Sequence, residues 1–350
     1  MYELPTKPRV RLMVWESPSK HEHSNAAIFN VERGVQFRYQ SIRTPRARAI
    51  LQVQHQLLRI CRQVLDQVGF TEVLAPIIGP VTDPGIRGAD KIEVPFYGKA
   101  YVLMTSMILY KQMTMASFPR VYTFSPNVRL EPSTSSTTGR HLVEFYQLDL
   151  EVAHGTCDQI MALGDMLLFE AIKIIHHNCA EQLKLLGRTL PLPPRHLPRI
   201  PYEEAIELLT EEGFELDSTA EIPWEAEHHL SLIFKTPFWI TDYPVTSRGF
   251  YYLRDPGHPE YVRSMDLILP EGFGEISSGG EREYTVKGVT QRMLQTREDP
   301  TKYRWYLDML EEGIPPSAGC GIGLERLTRY LCGVPHIWEC SPFPKVPGIT

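Results

Sequence analysis

Apolar residues recur at spacings of three and four along the chain from Ala47: Ile50, Val53, Leu57, Ile60 and Val64. That period puts them on one face of a helix, and Gly69 supplies the residue that ends it. The next stretch, TEVLAPIIGP (71–80), is apolar and β-branched with Pro76 inside, which suits a strand at a sheet edge or an interface. YVLMTS (101–106) and RVYTFS (120–125) read as strands, and VEFYQLDLEVA (143–153) alternates with period two. Thr156 or Asp158 opens a long helix through Leu186. The proline-rich LPLPPRHLPRIP (190–201) marks a seam, and YEEAIELLTEEG (202–213) is a short helix beyond it. Strands follow at FWITDYP (238–244), GFYYLRD (249–255) and SMDLILP (264–270), then a last helix from about Gly323 to Gly333. Strands of hairpin type flanked by helices argue for a mixed domain around an antiparallel sheet. Residues 1–44 are irregular, polar and rich in Pro, Arg and Ser, so they read as an extension ahead of a domain at 45–350.

Composition narrows the class. With 350 residues, 43% hydrophobic and 22% charged, the chain fits a globular protein with a substantial core. No apolar run is long enough to span a membrane. The N-terminus has basic residues without the apolar stretch of a secretory signal. The six cysteines are scattered without a CxxC pair, which suits reduced thiols and a cytoplasmic location. A net charge of −6 gives no support to a nucleic-acid footprint. There is no Walker A sequence and no GxGxxG.

Four clusters carry candidate chemistry. Arg129-Leu130-Glu131, a Ser/Thr/Gly-rich loop (132–139) and Arg140-His141-Leu142-Val143-Glu144-Phe145 could clamp a phosphate and stack a base; the plainer reading is a solvated hairpin. Asp266 with Glu275 and Arg282 in GEISSGGERE (274–283) suits Mg²⁺ held between carboxylates and phosphates. In AGCGIGLERLTRYLCG (318–333) glycines precede a helix that carries Glu325 and Arg326 in its first turn, which permits close approach of a ligand. In the fourth cluster, around Thr105 and Ser106, Lys111 could face a substrate carboxylate. The paired histidines (His21/His23, His176/His177, His228/His229) have no third ligand at metal spacing and read as surface or packing residues.

Taken in order, these clusters resemble the catalytic domain of class II aminoacyl-tRNA synthetases of the aspartyl/asparaginyl branch. GFTEVLAPIIGP resembles motif 1, VRLE with GRHLVEFYQLDLE resembles motif 2, and GIGLERL resembles motif 3. The likeness runs from about residue 45 to the closing PFPKVPG. It implies an α+β fold, an antiparallel sheet flanked by helices, and a homodimer through motif 1. SPNVRLE, TSMILYKQ, DLILPEGFGEISSGGERE and PSAGCGIGLERL narrow the resemblance to the archaeal asparagine synthetase-related enzymes. These make asparagine, AMP and pyrophosphate from aspartate, ATP and ammonia without an anticodon-binding domain.

Carried over by residue, the resemblance implies Arg129 and Arg326 as catalytic groups, Arg129 on the α-phosphate of ATP. Glu131 would lie on the adenine side with Phe145 stacked beneath the base, and His141 and Arg326 on the outer phosphates. Asp266 and Glu275 would hold Mg²⁺. Lys111 and Arg282 would grip a substrate carboxylate and Asp149 its ammonium, with Ser106, Gln147 and Ser278 also binding substrate. Asp149 stands where asparaginyl enzymes carry Glu and aspartyl enzymes Asp. Ser106-Met107-Ile108 and Asp83-Pro84-Gly85 depart from the charging enzymes, and imply that aspartate lies reversed with its β-carboxylate at the α-phosphate. The expectation is therefore ammonia-dependent amidation of L-aspartate with tRNA not a partner. The alternatives are tRNA charging of the aspartyl/asparaginyl kind, an amide ligase acting on another acid or amine, and a nucleotide-binding protein without catalysis.

Overall fold

The computed structural model describes residues 31–83 and 90–349. Pro84 and Gly85 of the departing Asp83-Pro84-Gly85, His21/His23 and most of the N-terminal extension lie outside the described residues. The described part of that extension is helical: α1 (Val31–Gln36) and α2 (Arg38–Ser41) precede α3 (Pro45–Gln67). No sequence period announces them because a tertiary contact holds them. Gly34 sits against the Trp338 ring, and the Arg38 guanidinium lies 5.4 Å from that ring while donating to Ser341 O at 2.7 Å. The long helix behaves as its pattern predicts. Thr44 caps it by accepting from Ala47 N, Pro45 occupies the first turn, and Gly69 follows at φ +80°.

After α3 come β1 (Thr71–Glu72), β2 (Ile78–Gly79), β3 (Glu93–Phe96), β4 (Lys99–Leu103), α4 (Ile108–Thr114), β5 (Arg120–Val128) and β6 (Glu144–Ala153). The expected strand over 71–80 is thus two short pieces around Pro76, with Leu74 and Ile77 exposed. The expected long helix is broken at Cys179 into α5 (Cys157–Asn178) and α6 (Ala180–Leu186). Beyond the proline-rich stretch lie β7 (Arg199–Pro201), α7 (Tyr202–Glu211), α8 (Trp224–Ile233), β8 (Phe238–Thr241) and β9 (Ser264–Leu269). The chain closes with β10 (Gly274–Glu281), α9 (Val286–Gln295), α10 (Arg304–Glu312), β11 (Ser317–Gly323) and α11 (Leu324–Cys332).

Eight strands form one sheet in the order β1-β5-β6-β11-β10-β9-β8-β7. The central strands are antiparallel, but both edges are parallel pairs, β1 with β5 and β7 with β8. The expected antiparallel sheet is thus present through its centre, with one parallel pair added at each edge. The proline-rich stretch ends in β7, so the sheet continues across it. GFYYLRD contributes only isolated bridges at Tyr252 and Arg254, because its aromatic residues pack into a separate cluster with α4, α9 and α10.

The main core lies on one face, where α3, α5 and α11 cover Leu148, Leu150, Leu267 and Cys320 of the central strands. The opposite face is covered only toward its ends: by α7 and α8 over Phe238, Ile240 and Ile268, and by α4, whose Lys111 reaches β6. The middle of that face is left as a cleft. No described helix is long and apolar enough to cross a membrane.

Inside the core, Asp165 of α5 accepts from Trp239 Nε1 at 2.7 Å and from Leu197 N at 3.2 Å, tying helix, sheet and proline-rich stretch together. Asp165→Ala strands two buried donors, each costing about 1–3 kcal/mol. We expect urea unfolding to show a loss of roughly 2–5 kcal/mol; a loss below about 1 kcal/mol would mean that water replaces the carboxylate.

Candidate active site

The cleft has two compartments. The smaller, about 130 Å³, is lined by Ser106, Lys111, Gln147, Asp149, Ser278 and Arg282 among others. The larger, about 500 Å³, is lined by His141, Phe145, Asp266 and Arg326 among others. Arg129, Glu131, Gln147 and Glu275 border both. All the residues singled out from the sequence as site residues thus meet in one cleft.

In the smaller compartment the charges pair with one another. Lys111 Nζ, on α4, is 2.9 Å from Asp149 Oδ1 and donates to Cys320 O at 3.0 Å. Ser125 Oγ donates to the other Asp149 oxygen at 2.5 Å. Arg282 makes a two-pronged contact with Glu151 at 3.0 and 3.1 Å and donates to Gly319 O at 2.8 Å. Burial opposes the Arg282 charge, but Glu151 outweighs it and holds the guanidinium above its ordinary pKa. The cationic pair expected to grip a substrate carboxylate is therefore already neutralised by Asp149 and Glu151. The Asp149 carboxylate, expected on a substrate ammonium, is engaged by Lys111 and Ser125.

The larger compartment gathers aromatic and phosphate-sized chemistry. The Arg129 guanidinium lies 5.2 Å from the Phe145 ring centroid, and its Nε donates to Thr105 O at 3.0 Å. Arg326, at the start of α11, donates from Nη1 to Glu275 O at 3.1 Å. His141 Nδ1 is 2.7 Å from Thr138 Oγ1. Asp266 and Glu275 stand on the neighbouring strands β9 and β10.

Several side chains that build the site were not among its expected residues. Arg248 is buried against Tyr243 at 3.7 Å and bonds Asp266 Oδ2 at 2.7 Å and Ser278 Oγ at 3.0 Å. It follows a single 3-10 turn at Val245–Ser247, where no period marks a functional position. Glu151 continues the period-two face of β6 beyond Asp149, so alternation alone would have found it. Glu325 is buried beneath β6, accepts from Tyr146 N at 3.0 Å, and is pushed up to about 7 by burial. Arg140 is held by Glu227 of α8 at 2.7 Å, a helix the sequence pattern did not announce.

A family model described as tRNA synthetases class II (D, K and N) matches residues 30–347. The chain belongs to that family. The asparagine–tRNA ligase of Pelotomaculum thermopropionicum is 34% identical over 324 residues, covering 90% of this chain and 74% of the relative. The asparaginyl-tRNA synthetase of Pyrococcus horikoshii, complexed with asparaginyl-adenylate, superposes with a TM-score of 0.86 at 30% identity over 93% of this chain and 75% of that one. An aspartyl-tRNA synthetase from Entamoeba histolytica gives 0.78 at 26% identity, covering 96% of this chain and 65% of that one.

These relatives overturn two expectations. Ammonia-dependent amidation of aspartate, with ammonia as partner and tRNA excluded, gives way because relatives similar over nine-tenths of the chain are asparagine–tRNA ligases. The tRNA argument failed physically because net charge is a sum over the whole surface. The chain totals −6, yet residues 31–65 hold seven arginines against one acidic residue, Glu32. The reversed-aspartate pose fails with it, since Lys111 and Arg282 are already paired.

The His141 ring is pushed down to about 3, first by burial and then by Arg326 and Arg140. The unfolded ring takes up its proton near 6.5 or so. His141 therefore contributes stability that is full above about 6.5 and is lost as pH falls through that value toward 3. Followed by NMR from about pH 8 to 5, the ring should show no titration; a midpoint near about 6.5 would place it in solvent.

Proposed function

We propose that this chain activates asparagine with ATP to an asparaginyl-adenylate and then passes the asparaginyl group to tRNA. The observation that carries the choice of amino acid is the charge balance of the smaller compartment. Lys111 with Asp149, and Arg282 with Glu151, form two buried neutral pairs. A carboxamide enters such a pocket without adding charge. An aspartate side chain would add an anion beside Lys111 and Arg282, whose charges Asp149 and Glu151 already balance, and so would gain less there than beside free cations. One feature favours aspartate as a second reading: Asp149 itself, where the resemblance expects Glu in asparaginyl enzymes.

The chemistry asks for no protein nucleophile. An oxygen of the asparagine α-carboxylate attacks the α-phosphorus, the bond to the bridging oxygen breaks, and pyrophosphate leaves. A tRNA terminal hydroxyl then attacks the activated carbonyl and AMP leaves. Arg129 is assigned to the α-phosphate, Arg326 and His141 to the outer phosphates, and Phe145 to the adenine face. The two arginines, cationic and held in place before the reaction, lower the barrier because they need no reorganisation as charge develops.

The donor set also suits Mg²⁺. Asp266 and Glu275 offer hard carboxylate oxygens, and no cluster of three His, Cys, Asp or Glu exists among the described residues. Two carboxylates completed by substrate phosphates and water are the usual Mg²⁺ shell. Once bound there, the ion would neutralise phosphate charge.

Asparagine-dependent ATP–pyrophosphate exchange, followed by acylation of tRNA with labelled asparagine, tests the reading. Exchange with aspartate alone would select the second reading, and exchange without transfer to any tRNA would defeat the charging step. Arg129→Ala or Arg326→Ala should lower exchange by about 10²–10³-fold, the loss typical of one preorganised charge-stabilising group. Near-normal exchange in either variant would remove these arginines from the reaction.

A further inference from the structure

The helix α8 lies outside every motif that suggested chemistry, yet its side chains fasten the turn that begins β10. His228 Nδ1 is 3.0 Å from Gly272 O. Ser231 Oγ accepts from Gly274 N at 3.3 Å and donates to Leu269 O at 2.6 Å, bridging the end of β9 to the start of β10. Glu227, one turn before Ser231 and so on the same helix face, accepts from Glu275 N at 2.7 Å. The pairing of β10 with β9 slips register between Glu275 and Ser277. Such a bulge re-aims a side chain and leaves backbone groups that need partners outside the ladder.

The same Glu227 oxygen, Oε1, also accepts from Arg140 Nη1 at 2.7 Å. The Arg140 guanidinium stands over the Trp224 ring, 4.4 Å from its centroid, and its Nη2 is 3.6 Å from Glu275 Oε2. From the other side, Arg326 Nη1 donates to Glu275 O at 3.1 Å and stands 3.6 Å from Glu275 Oε1. The approach of α8 is close enough to dictate a residue. Gly274 has φ +72°, and a Cβ there would come within 2.8 Å of Trp224 and against Glu227 Oε1.

We infer that Glu227 is a positioning residue for the phosphate end of the cleft. One carboxylate oxygen fixes the Glu275 main chain and the Arg140 guanidinium together. It thereby sets where the Glu275 carboxylate points and, through the Glu275 carbonyl, where Arg326 is held. Glu227 acts through these neighbours. The inference rests on the reading of the larger compartment as the nucleotide site.

The test compares the full chain with its Glu227→Ala and Glu227→Gln variants. The amide of Gln keeps an oxygen for the Glu275 N–H but lacks the charge that attracts Arg140. Two readouts separate positioning from plain folding: ATP affinity by calorimetry, and the division of asparagine-dependent exchange into kcat and KM. For Glu227→Ala, with circular dichroism unchanged, we expect ATP to bind about tenfold more weakly and kcat to fall about 10–100-fold, the range for groups that orient a ligand-binding side chain. KM for asparagine should stay put, and Glu227→Gln should fall between Ala and the parent. A folded Ala variant that binds ATP like the parent would overturn the inference. So would an asparagine KM that rises in step with the fall in kcat, since that marks a general disturbance. If the Ala variant does not fold, the Gln variant decides, and undiminished ATP affinity in it overturns the inference. A parent chain that binds ATP but shows no asparagine-dependent exchange defeats the proposed reaction, while the ATP affinities still decide the role of Glu227.

Discussion

Four charged side chains buried in the middle of a sheet have to neutralise one another, and much of this molecule is arranged so that they can. Lys111, Asp149, Glu151 and Arg282 are each at most 3% exposed. Taking one such ion out of water costs several kcal/mol unless a partner of opposite sign stands at hydrogen-bond distance. Asp149 and Glu151 are on β6, Arg282 just past β10, and Lys111 on a helix from another part of the chain. The pairs therefore cross-link elements distant in sequence, and they meet across β11. That strand has to be nearly without side chains on this face. A Cβ at Gly319 would overlap the Glu151 carboxylate, and one at Gly321 would come within 3.1 Å of Asp149. Even the Lys111 and Arg282 hydrogen bonds to carbonyls, at Cys320 and Gly319, use the backbone that glycine leaves bare.

This explains why the sequence hid β10 and β11, two strands from the middle of the sheet. GEISSGGE and SAGCGIG are poor in the β-branched and aromatic residues that mark strands. They read instead as glycine-rich loops suited to a ligand. Their glycines do serve close approach, but to buried carboxylates and to each other: a Cβ at Gly279 would overlap Gly319 O. The reverse error fell on GFYYLRD, whose aromatic run suggested a strand while Phe250, Tyr251 and Tyr252 pack into a side cluster. Where the period was long and one-sided, as in α3 and β6, local pattern and fold agree. Where tertiary contact outweighs pattern, as in α1, α2 and α8, nothing in the chain order announces the element.

The site was legible in its parts and not in its wiring. Residue type alone proposed Arg129, His141, Asp266, Glu275 and Arg326, and the fold brings them to one cleft. What residue type could not give is which charges are spent on each other. Lys111 and Arg282 look in sequence like two cations awaiting an anion, and in the fold each has its carboxylate. In the proposed reaction that difference turns the electrostatic preference of the pocket from a charged side chain toward a neutral one. The neutralising partner Glu151 sits only two residues beyond Asp149, on the same face of the same strand.

That strand also sets the spacing of the chemistry. The side chains of Phe145, Gln147, Asp149 and Glu151 follow one another on the cleft face of β6, while Leu148 and Leu150 turn into the core. At about 3.3 Å per residue, Phe145 and Asp149 are separated by roughly 13 Å along the strand. In the proposed reaction a base stacked at Phe145 and an amino-acid side chain at Asp149 would be held by one rigid element, with Gln147, which borders both compartments, between them. A strand in mid-sheet cannot stretch, so the distance from base to side chain is fixed before either ligand arrives. The cost of aligning carboxylate and α-phosphate is then met largely in folding, which is how orientation lowers a barrier without any new contact in the transition state. A one-residue slip of β6 would turn all four side chains into the core at once. The ion pairs that join β6 to its neighbours oppose that slip, so the same buried charges that balance the pocket also hold the strand in register.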